Sequence, residues 1–329
     1  MLSKVAPEML YRSPRVQLAA PLCALMLAGC SGGPVLPDST LPTGTLLITG
    51  TVPQVVNGLS TYSLTSGTLS PIASRVSALR NRLAPDGKTV FSFSRESTEE
   101  VYRLVSVRDP NSIIPLLEFP SPQGTIATVG LAVTSRQGEI QVGFLEGSSS
   151  TVPAQSTFRL HHVGTAGWTN TVSFAGGLAG LSWNPDGQRL VTTAYERNFG
   201  GAGRLAIVDI ASQTVTTFGL RDSAPIGDAE FSPDGRAIVY SRLSEDGSMT
   251  ELVSIGFEGG NPVALPPHLE GELPTFSPDG RYLAFCRNVL FGNDHRQGRF
   301  ILRISDGHVE QILPPEQYPS LGCIHDWVK

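Results

Sequence analysis

The sequence "EFSPDGRAIVYSR" at 230–242 returns almost unchanged as "TFSPDGRYLAFCR" at 275–287. A catalytic motif is normally needed once, whereas a phrase that recurs every 20–50 residues or so, roughly the length of one structural unit, is typical of solenoids and propellers. Within Ser-Pro-Asp-Gly, the proline presets the backbone of a type I turn, and the glycine takes the left-handed conformation that closes a hairpin with a bulge. Because β-rich residues follow the turn, each phrase predicts a strand, a turn and a second strand.

Two further copies, "RLAPDGKTVFSFS" and "SWNPDGQRLVTTA", extend the series. The turn glycines are Gly87, Gly187, Gly235 and Gly280, at intervals of 100, 48 and 45 residues. The first interval is about twice the others, which predicts a degenerate copy of the turn at Gly138 in "VTSRQGEIQVGF". A second strand–turn–strand segment follows each copy, so each unit carries four strands, as a propeller blade does.

The two ends of the repeat region complement each other. Residues 44–72 read as a blade without its first strand and its Pro-Asp-Gly turn, and the C-terminal "LGCIHDWVK" (321–329) resembles that strand, with Trp327 aligned to Trp183 and Phe231. A blade assembled from both ends closes the ring and leaves no free sheet edge. The sequence therefore predicts an all-β, six-bladed β-propeller over residues 44–329.

The phrases "FSPDGRAIVYSRL" and "FSPDGRYLAFCRN" resemble the repeats of the TolB-like six-bladed propellers, closely in four copies and weakly over the rest of 44–329. The stretch before the first blade is too short for the N-terminal α/β domain of TolB itself. The same blades also occur beside hydrolase domains in prolyl-oligopeptidase-like enzymes, and no hydrolase segment follows the blades in this sequence.

The N-terminal segment has the build of a bacterial lipoprotein signal. Lys4, Arg12 and Arg15 precede the apolar run 16–29, which is too short to span a bilayer and ends in "LAGC" at Cys30. This pattern resembles a lipobox and predicts a signal peptide at 1–29, a diacylglyceryl group on Cys30 and a tether at 30–43. The alternative is an ordinary signal peptide followed by an incidental cysteine.

Lipidation would anchor the protein in the bacterial cell envelope. Ser31, rather than an aspartate, follows the cysteine, which favours the outer membrane, with the propeller facing the periplasm. The formal net charge of −5 provides no basic face, so we expect no nucleic-acid partner.

The predicted first strands carry polar residues that would surround a central channel. The candidate channel-lining residues are Arg82, Ser182, Asp228, Glu230, Glu272 and Asp326. Such a channel would suit a cationic or peptide ligand; the alternative is a water-filled channel without a specific ligand. His325 could also reach this channel from the closing strand.

Two cysteines remain after Cys30, in strands of adjacent blades. A disulfide between Cys286 and Cys323 would pin the C-terminal strand to its neighbour in an oxidising compartment; the alternative is two buried thiols.

The turn aspartates could cap their own backbone or bind a cation, and turn capping is the expected role; they are Asp86, Asp186, Asp234 and Asp279. We expect no metal site, cofactor or catalytic residue. "GCSGG" at 29–33 matches the G-x-S-x-G motif of serine hydrolases. A nucleophile elbow requires a strand before the motif and a helix after it, whereas this match lies across the predicted lipobox, so we do not read Ser31 as a catalytic serine.

The sequence thus predicts a membrane-anchored envelope lipoprotein whose propeller is a non-enzymatic protein-binding or scaffold module, with an unidentified envelope protein or peptide as its partner. The long segments 195–203 and 288–298 are read as recognition loops because they are rich in Gly, Asn and Arg; plain inter-strand connections are the alternative. The rival functional class is a propeller hydrolase or lactonase with a metal at the channel mouth.

Overall fold

A computed structural model of the chain describes residues 42–329, except 53–54, 74–77, 97–100, 108–112, 121–128, 137–138, 149–154, 163–167, 176, 196–202, 220–225, 245–246, 267 and 292–293. The described part is built from β-strands. Among these residues, no helix has the length and apolar character needed to cross a membrane. The predicted Cys30 lipidation site and the predicted degenerate turn at Gly138 lie outside the described residues.

The described strands form four-stranded antiparallel sheets, each ordered from an inner to an outer strand. The inner strands are β4 (Ala78–Leu83), β8 (Val129–Arg136), β12 (Gly177–Trp183), β16 (Ile226–Phe231), β20 (Glu272–Phe276) and β24 (Leu321–Val328). The second strands are β5 (Val90–Glu96), β9 (Glu139–Ser148), β13 (Arg189–Tyr195), β17 (Ala237–Leu243), β21 (Tyr282–Phe291) and β1 (Thr45–Val52).

The outer half of each sheet follows the same order. The third strands are β6 (Val101–Val107), β10 (Gln155–His162), β14 (Gly203–Asp209), β18 (Thr250–Gly256), β22 (Asp294–Arg303) and β2 (Val55–Ser63). The outermost strands are β7 (Ile113–Pro120), β11 (Trp168–Ala175), β15 (Thr214–Gly219), β19 (Val263–Ala264), β23 (His308–Ile312) and β3 (Thr68–Ala73). We number the sheets 1 to 5 from β4 onward and call β24-β1-β2-β3 the closing sheet.

The inner strands contact one another in the cyclic order β24, β4, β8, β12, β16, β20 and back to β24. This radial arrangement of sheets around a common centre is a β-propeller. In the closing sheet, β24 pairs antiparallel with β1, with Leu46 opposite Trp327 and Thr45 opposite Val328. The two ends of the described chain therefore share one sheet, as predicted.

The Pro-Asp-Gly turns have the backbone that the sequence predicts. The φ angles of Gly87, Gly187, Gly235 and Gly280 lie between +66° and +71°, in the left-handed region that glycine enters without a steric penalty. Each glycine N–H donates to the carbonyl three residues earlier, at 2.8–2.9 Å. These turns lie on one side of the ring, which we call the turn face; the inner strands begin on the opposite face.

Near the end of four inner strands, an aromatic residue packs between sheets. Trp183, Phe231, Phe276 and Trp327 are 3–7% exposed, and the Trp327 ring stacks on Tyr282 at 6.3 Å between centroids. Burial of an aromatic side chain contributes about 2–3 kcal/mol. One repeated position thus supplies the apolar contacts that hold neighbouring sheets together.

The interpretation of 288–298 as a loop is wrong. β21 and β22 stay paired from Tyr282 opposite Arg303 to Phe291 opposite Asp294, so this segment is a β-hairpin. Cys286 pairs with Glu272, the first residue of β20. The hairpin therefore extends past the inner strand on the opposite face.

Candidate functional site: a central channel divided by Arg82

Arg82 crosses the centre of the propeller. From sheet 1, its Nε donates to the Leu131 carbonyl of sheet 2 at 3.0 Å, and its Nη2 donates to the Leu181 carbonyl of sheet 3 at 3.2 Å. Its Nη1 donates to the His325 carbonyl of the closing sheet at 2.6 Å and lies 3.7 Å from Glu230 Oε2 of sheet 4. One guanidinium thus contacts four other sheets and divides the channel into two spaces.

The acidic residues beside Arg82 bind backbone groups of the following sheet. Glu230 Oε1 accepts hydrogen bonds from the Thr275 hydroxyl at 3.0 Å and from the Phe276 N–H at 3.2 Å. Asp326 Oδ2 accepts from the Leu83 N–H at 2.7 Å. Both carboxylates link one inner strand to the next.

Ser182 has the same role between sheets 3 and 4. Its Oγ accepts a hydrogen bond from the Phe231 N–H at 3.3 Å. In three sheets, therefore, the side chain just before the buried aromatic position satisfies the N–H at the end of the neighbouring inner strand. Unsatisfied buried N–H groups are strongly unfavourable, so these contacts stabilise the ring.

Burial shifts the proton equilibria of these acids. Burial raises the pKa of Glu230 to about 7, although the Arg82 charge opposes the rise. Burial also raises the pKa of Asp326, again against the effect of Arg82. For Arg82, burial disfavours the charge, but Glu230 and Asp326 together hold the pKa of its guanidinium above the ordinary value.

We expect the protein to lose stability as the pH rises from 5 to 8, because the folded state binds protons that the unfolded state has released. The pKa of Glu230 rises from 4.5 to about 7, which corresponds to about 3 kcal/mol at about 1.4 kcal/mol per pH unit. Glu230→Gln removes the largest part of this dependence, and Asp326 supplies part of the remainder. Urea unfolding at both pH values measures the effect.

The matched control for this test is Glu310→Gln on the exposed surface of β23. We expect the control to keep the full pH dependence of the wild type. A Glu230→Gln protein whose free energy of unfolding falls with pH as steeply as that of the wild type would contradict the assignment.

On the turn face, Arg82 and Glu230 form the floor of a funnel of about 440 Å³. Ser182 and Asp326 line its lower wall, and the C-terminal Lys329 lies at its side. The turn prolines also line the funnel; they are Pro85, Pro185, Pro233 and Pro278. Its size is in the range of pockets that hold a peptide side chain or a small molecule.

On the opposite face lies a smaller chamber of about 30 Å³. Asn81 of sheet 1 and Asp228 of sheet 4 line it, together with Gly180 and His325. A Cβ on Gly180 would lie 2.7 Å from Asp228 Oδ1, so only glycine allows the carboxylate this position. The His325 Nε2 atom lies 3.0 Å from the Thr49 hydroxyl.

Five of the six candidate channel residues line one or both spaces. Arg82 and Glu230 line both, Ser182 and Asp326 line the funnel, and Asp228 lines the chamber. Glu272 lines neither space. It is partly buried at the start of β20, where burial first and the charge of Asp228 second raise its pKa.

The turn aspartates accept hydrogen bonds within their own turns, as a capping role requires. Asp186 accepts from the Gln188 N–H at 2.7 Å, and Asp86 accepts from the Thr89 N–H at 2.8 Å. Burial disfavours the charge of Asp234, but hydrogen bonds from Ser232 and Arg236 hold its pKa below the ordinary value. In the described part of the chain, no group of three or more His, Cys, Asp or Glu side chains could hold a metal ion.

Cys286 of sheet 5 and Cys323 of the closing sheet are paired as a disulfide in the structure, with 5.7 Å between their Cα atoms. Arg299, on β22 opposite Cys286, adds a second link to the same strand. Its fully buried guanidinium donates to the Gly322 carbonyl at 2.7 Å and also to that of Leu321.

Two residues of this centre escaped the sequence analysis. Neither Arg299 nor Asn81 is among the candidate residues named from the sequence. For Asn81, the available signal is its position in "LRNRL", where a large apolar residue suits the inter-sheet position two residues before Leu83.

No known family profile matches this sequence, and no curated protein matches it significantly. Among solved structures, TolB from Acinetobacter baumannii superposes with a TM-score of 0.64 at 19% identity, covering 87% of this chain and 66% of that protein. A protein assigned as TolB from Agrobacterium tumefaciens has a TM-score of 0.53 at 15% identity, covering 83% of this chain and 88% of its own.

An enzyme shares the same architecture. An oligogalacturonate lyase in complex with manganese has a TM-score of 0.56 at 11% identity, covering 82% of this chain and 74% of the lyase. At such identities the likeness shows the fold alone, because propellers with unrelated functions share it. By its structure, this chain is a β-propeller similar in fold to TolB.

Proposed function

We propose that the protein is a six-bladed, TolB-like propeller lipoprotein of the bacterial envelope that binds a protein or peptide without catalysing a reaction. The observation that carries the proposal is the structural role of the channel charges: Arg82 binds three backbone carbonyls, and Glu230 and Asp326 bind backbone N–H groups of neighbouring sheets. The fold is the one that the TolB structures share.

These contacts favour a binding role over catalysis. A general acid or base must reach the reacting group of a substrate, and Glu230 and Asp326 each hold the inner strands together instead.

The anchoring part of the proposal rests on Cys30 and on where the chain enters the propeller. The Thr43 carbonyl accepts a hydrogen bond from Trp327 Nε1 at 2.9 Å, and Gly44 lies beside Val328, at the turn face. A tether of residues 31–42 spans at most about 40 Å. With Cys30 acylated, a tether of this length would keep the propeller close to the membrane.

The face opposite the turns is the proposed binding face. The β21–β22 hairpin extends there, and the segment 196–202 joins strand ends at Tyr195 and Gly203 on the same side, since β13 begins at the turn face. The chamber lined by Asp228 lies on this face as well. Connections of this kind, carried by a rigid sheet framework, are frequent recognition elements.

Site-specific photo-crosslinking in cells tests the proposal. A photoreactive residue at Asn288, which is exposed on the hairpin, is expected to trap one discrete envelope protein. The matched control position is Gln188, exposed on the turn face, where we expect no discrete product. Equal trapping at both positions, or none at Asn288, would contradict the proposed binding face.

A further inference from the structure

The chamber on the opposite face contains a buried amide that lacks a partner. Asn81 is 2% exposed, and neither its Nδ2 nor its Oδ1 makes a hydrogen bond with any residue that the structure describes. Directly opposite on β5, the buried Ser92 hydroxyl is also unpartnered. Each buried, unsatisfied polar group is unfavourable by about 1–3 kcal/mol, so a bound group that completes these contacts would be stabilised.

The size of the chamber limits that group. Its volume of about 30 Å³ accommodates one or two groups of the size of water. Only a small polar head group fits, and the rest of a larger ligand would extend out between the inner strands. The partly exposed Asp228 lines this chamber, whereas Glu272 lies outside it at the start of β20.

The charges around the chamber favour a cation. Asp228 lies across the channel from Asn81, since β4 and β16 occupy opposite places in the ring. Glu272 is close enough to Asp228 for their charges to repel. The chamber lining carries one guanidinium, that of Arg82, and two carboxylates, those of Asp228 and Glu230, so its net charge is negative when both acids are ionised.

A primary ammonium group has the matching chemistry. It carries three N–H donors and one positive charge in the volume of a water molecule, and the chamber provides the Asn81 amide oxygen and the Asp228 carboxylate as acceptors. We propose that the chamber binds a primary ammonium group of the partner, supplied by a lysine side chain or by a free amino terminus. This inference rests on the proposed binding function.

Calorimetric titration of the full-length chain with n-butylammonium chloride tests the site, with n-butyltrimethylammonium chloride as the matched probe without N–H donors. We expect saturable binding of the first probe and at least about tenfold weaker binding of the second. Asp228→Asn and Asn81→Leu should each weaken n-butylammonium binding by about tenfold, equivalent to about 1.4 kcal/mol. Glu310→Gln, on an exposed edge strand, should leave it unchanged.

Two peptides then distinguish the sources of the ammonium group: an N-acetylated peptide with one lysine, and a lysine-free peptide with a free amino terminus. Saturable binding of either one supports the site and identifies the source.

Several results would overturn the inference. The first is equal affinity for both butyl probes. The second is unchanged n-butylammonium binding in Asp228→Asn and Asn81→Leu proteins that keep the wild-type unfolding transition. The third is n-butylammonium binding that calcium-free high salt does not weaken, together with saturable binding of calcium alone. Trapping of a discrete partner at Asn288 without ammonium selectivity would overturn this site and leave the proposed function intact.

Discussion

Arg82→Met is expected to lower the free energy of unfolding by about 3–5 kcal/mol, the effect typical of breaking a buried ion pair from one side. The substitution keeps the length and apolar stem of the side chain but removes the donors to the Leu131, Leu181 and His325 carbonyls. It also leaves Glu230 and Asp326 without their nearby positive charge. Urea unfolding at pH 7.5 or so, above the raised pKa of Glu230, measures the loss.

Two further variants test the cause of this loss. Arg82→Lys keeps the charge but cannot reach three carbonyls at once, so its stability should fall between those of Arg82→Met and the wild type. Glu230→Gln in the Arg82→Met background removes the unpaired carboxylate and should recover part of the loss. A stability of Arg82→Met within about 0.5 kcal/mol of the wild type, the usual effect of a surface substitution, would show that the channel contacts are not required.

The repeated hairpins could be predicted because their information is local. Pro233, Asp234 and Gly235 determine a turn among themselves: the Gly235 N–H donates to the Ser232 carbonyl at 2.8 Å, and Asp234 accepts from the Arg236 N–H at 3.1 Å. The pairing of β24 with β1 followed from counting these units and finding one incomplete at each end. No long-range contact had to be known for either prediction.

The channel could not be predicted in the same way, because its contacts join residues far apart in the chain. Arg82 was recognised as a channel candidate from its register, but its carbonyl partners lie 49, 99 and 243 residues away. The unpartnered amide of Asn81 is visible only once the neighbouring strands are in place. Polarity along the inner strands predicted a ligand channel, whereas most of that polarity serves contacts between sheets.

The hairpin at 288–298 was misread for a local reason. Its composition is that of a loop, but Phe291 pairs with Asp294, so the strands meet across Gly292-Asn293. A two-residue Gly-Asn connection between β-rich runs is a hairpin signal, and it outweighs the polar composition around it.

Removing the Cys286–Cys323 link is expected to destabilise the protein by about 4 kcal/mol, by the chain-entropy estimate for a loop of this length. The two cysteines are 37 residues apart in sequence and join sheet 5 to the closing strand. We propose that this link forms in the oxidising periplasm. The variant Cys286→Ala with Cys323→Ser, compared with the wild type by urea unfolding without reductant, measures its contribution.

Reductant provides the control that separates the covalent link from side-chain packing. Adding a thiol reductant should bring the wild type close to the double variant and leave the double variant unchanged. Because Arg299 still donates to the Leu321 and Gly322 carbonyls, the reduced protein should remain folded, with β24 paired to β1. If the free energy of unfolding of the wild type is the same with and without reductant, the disulfide is contradicted. If β24 unfolds on reduction, the covalent link, and not the Arg299 contacts, keeps the ring closed.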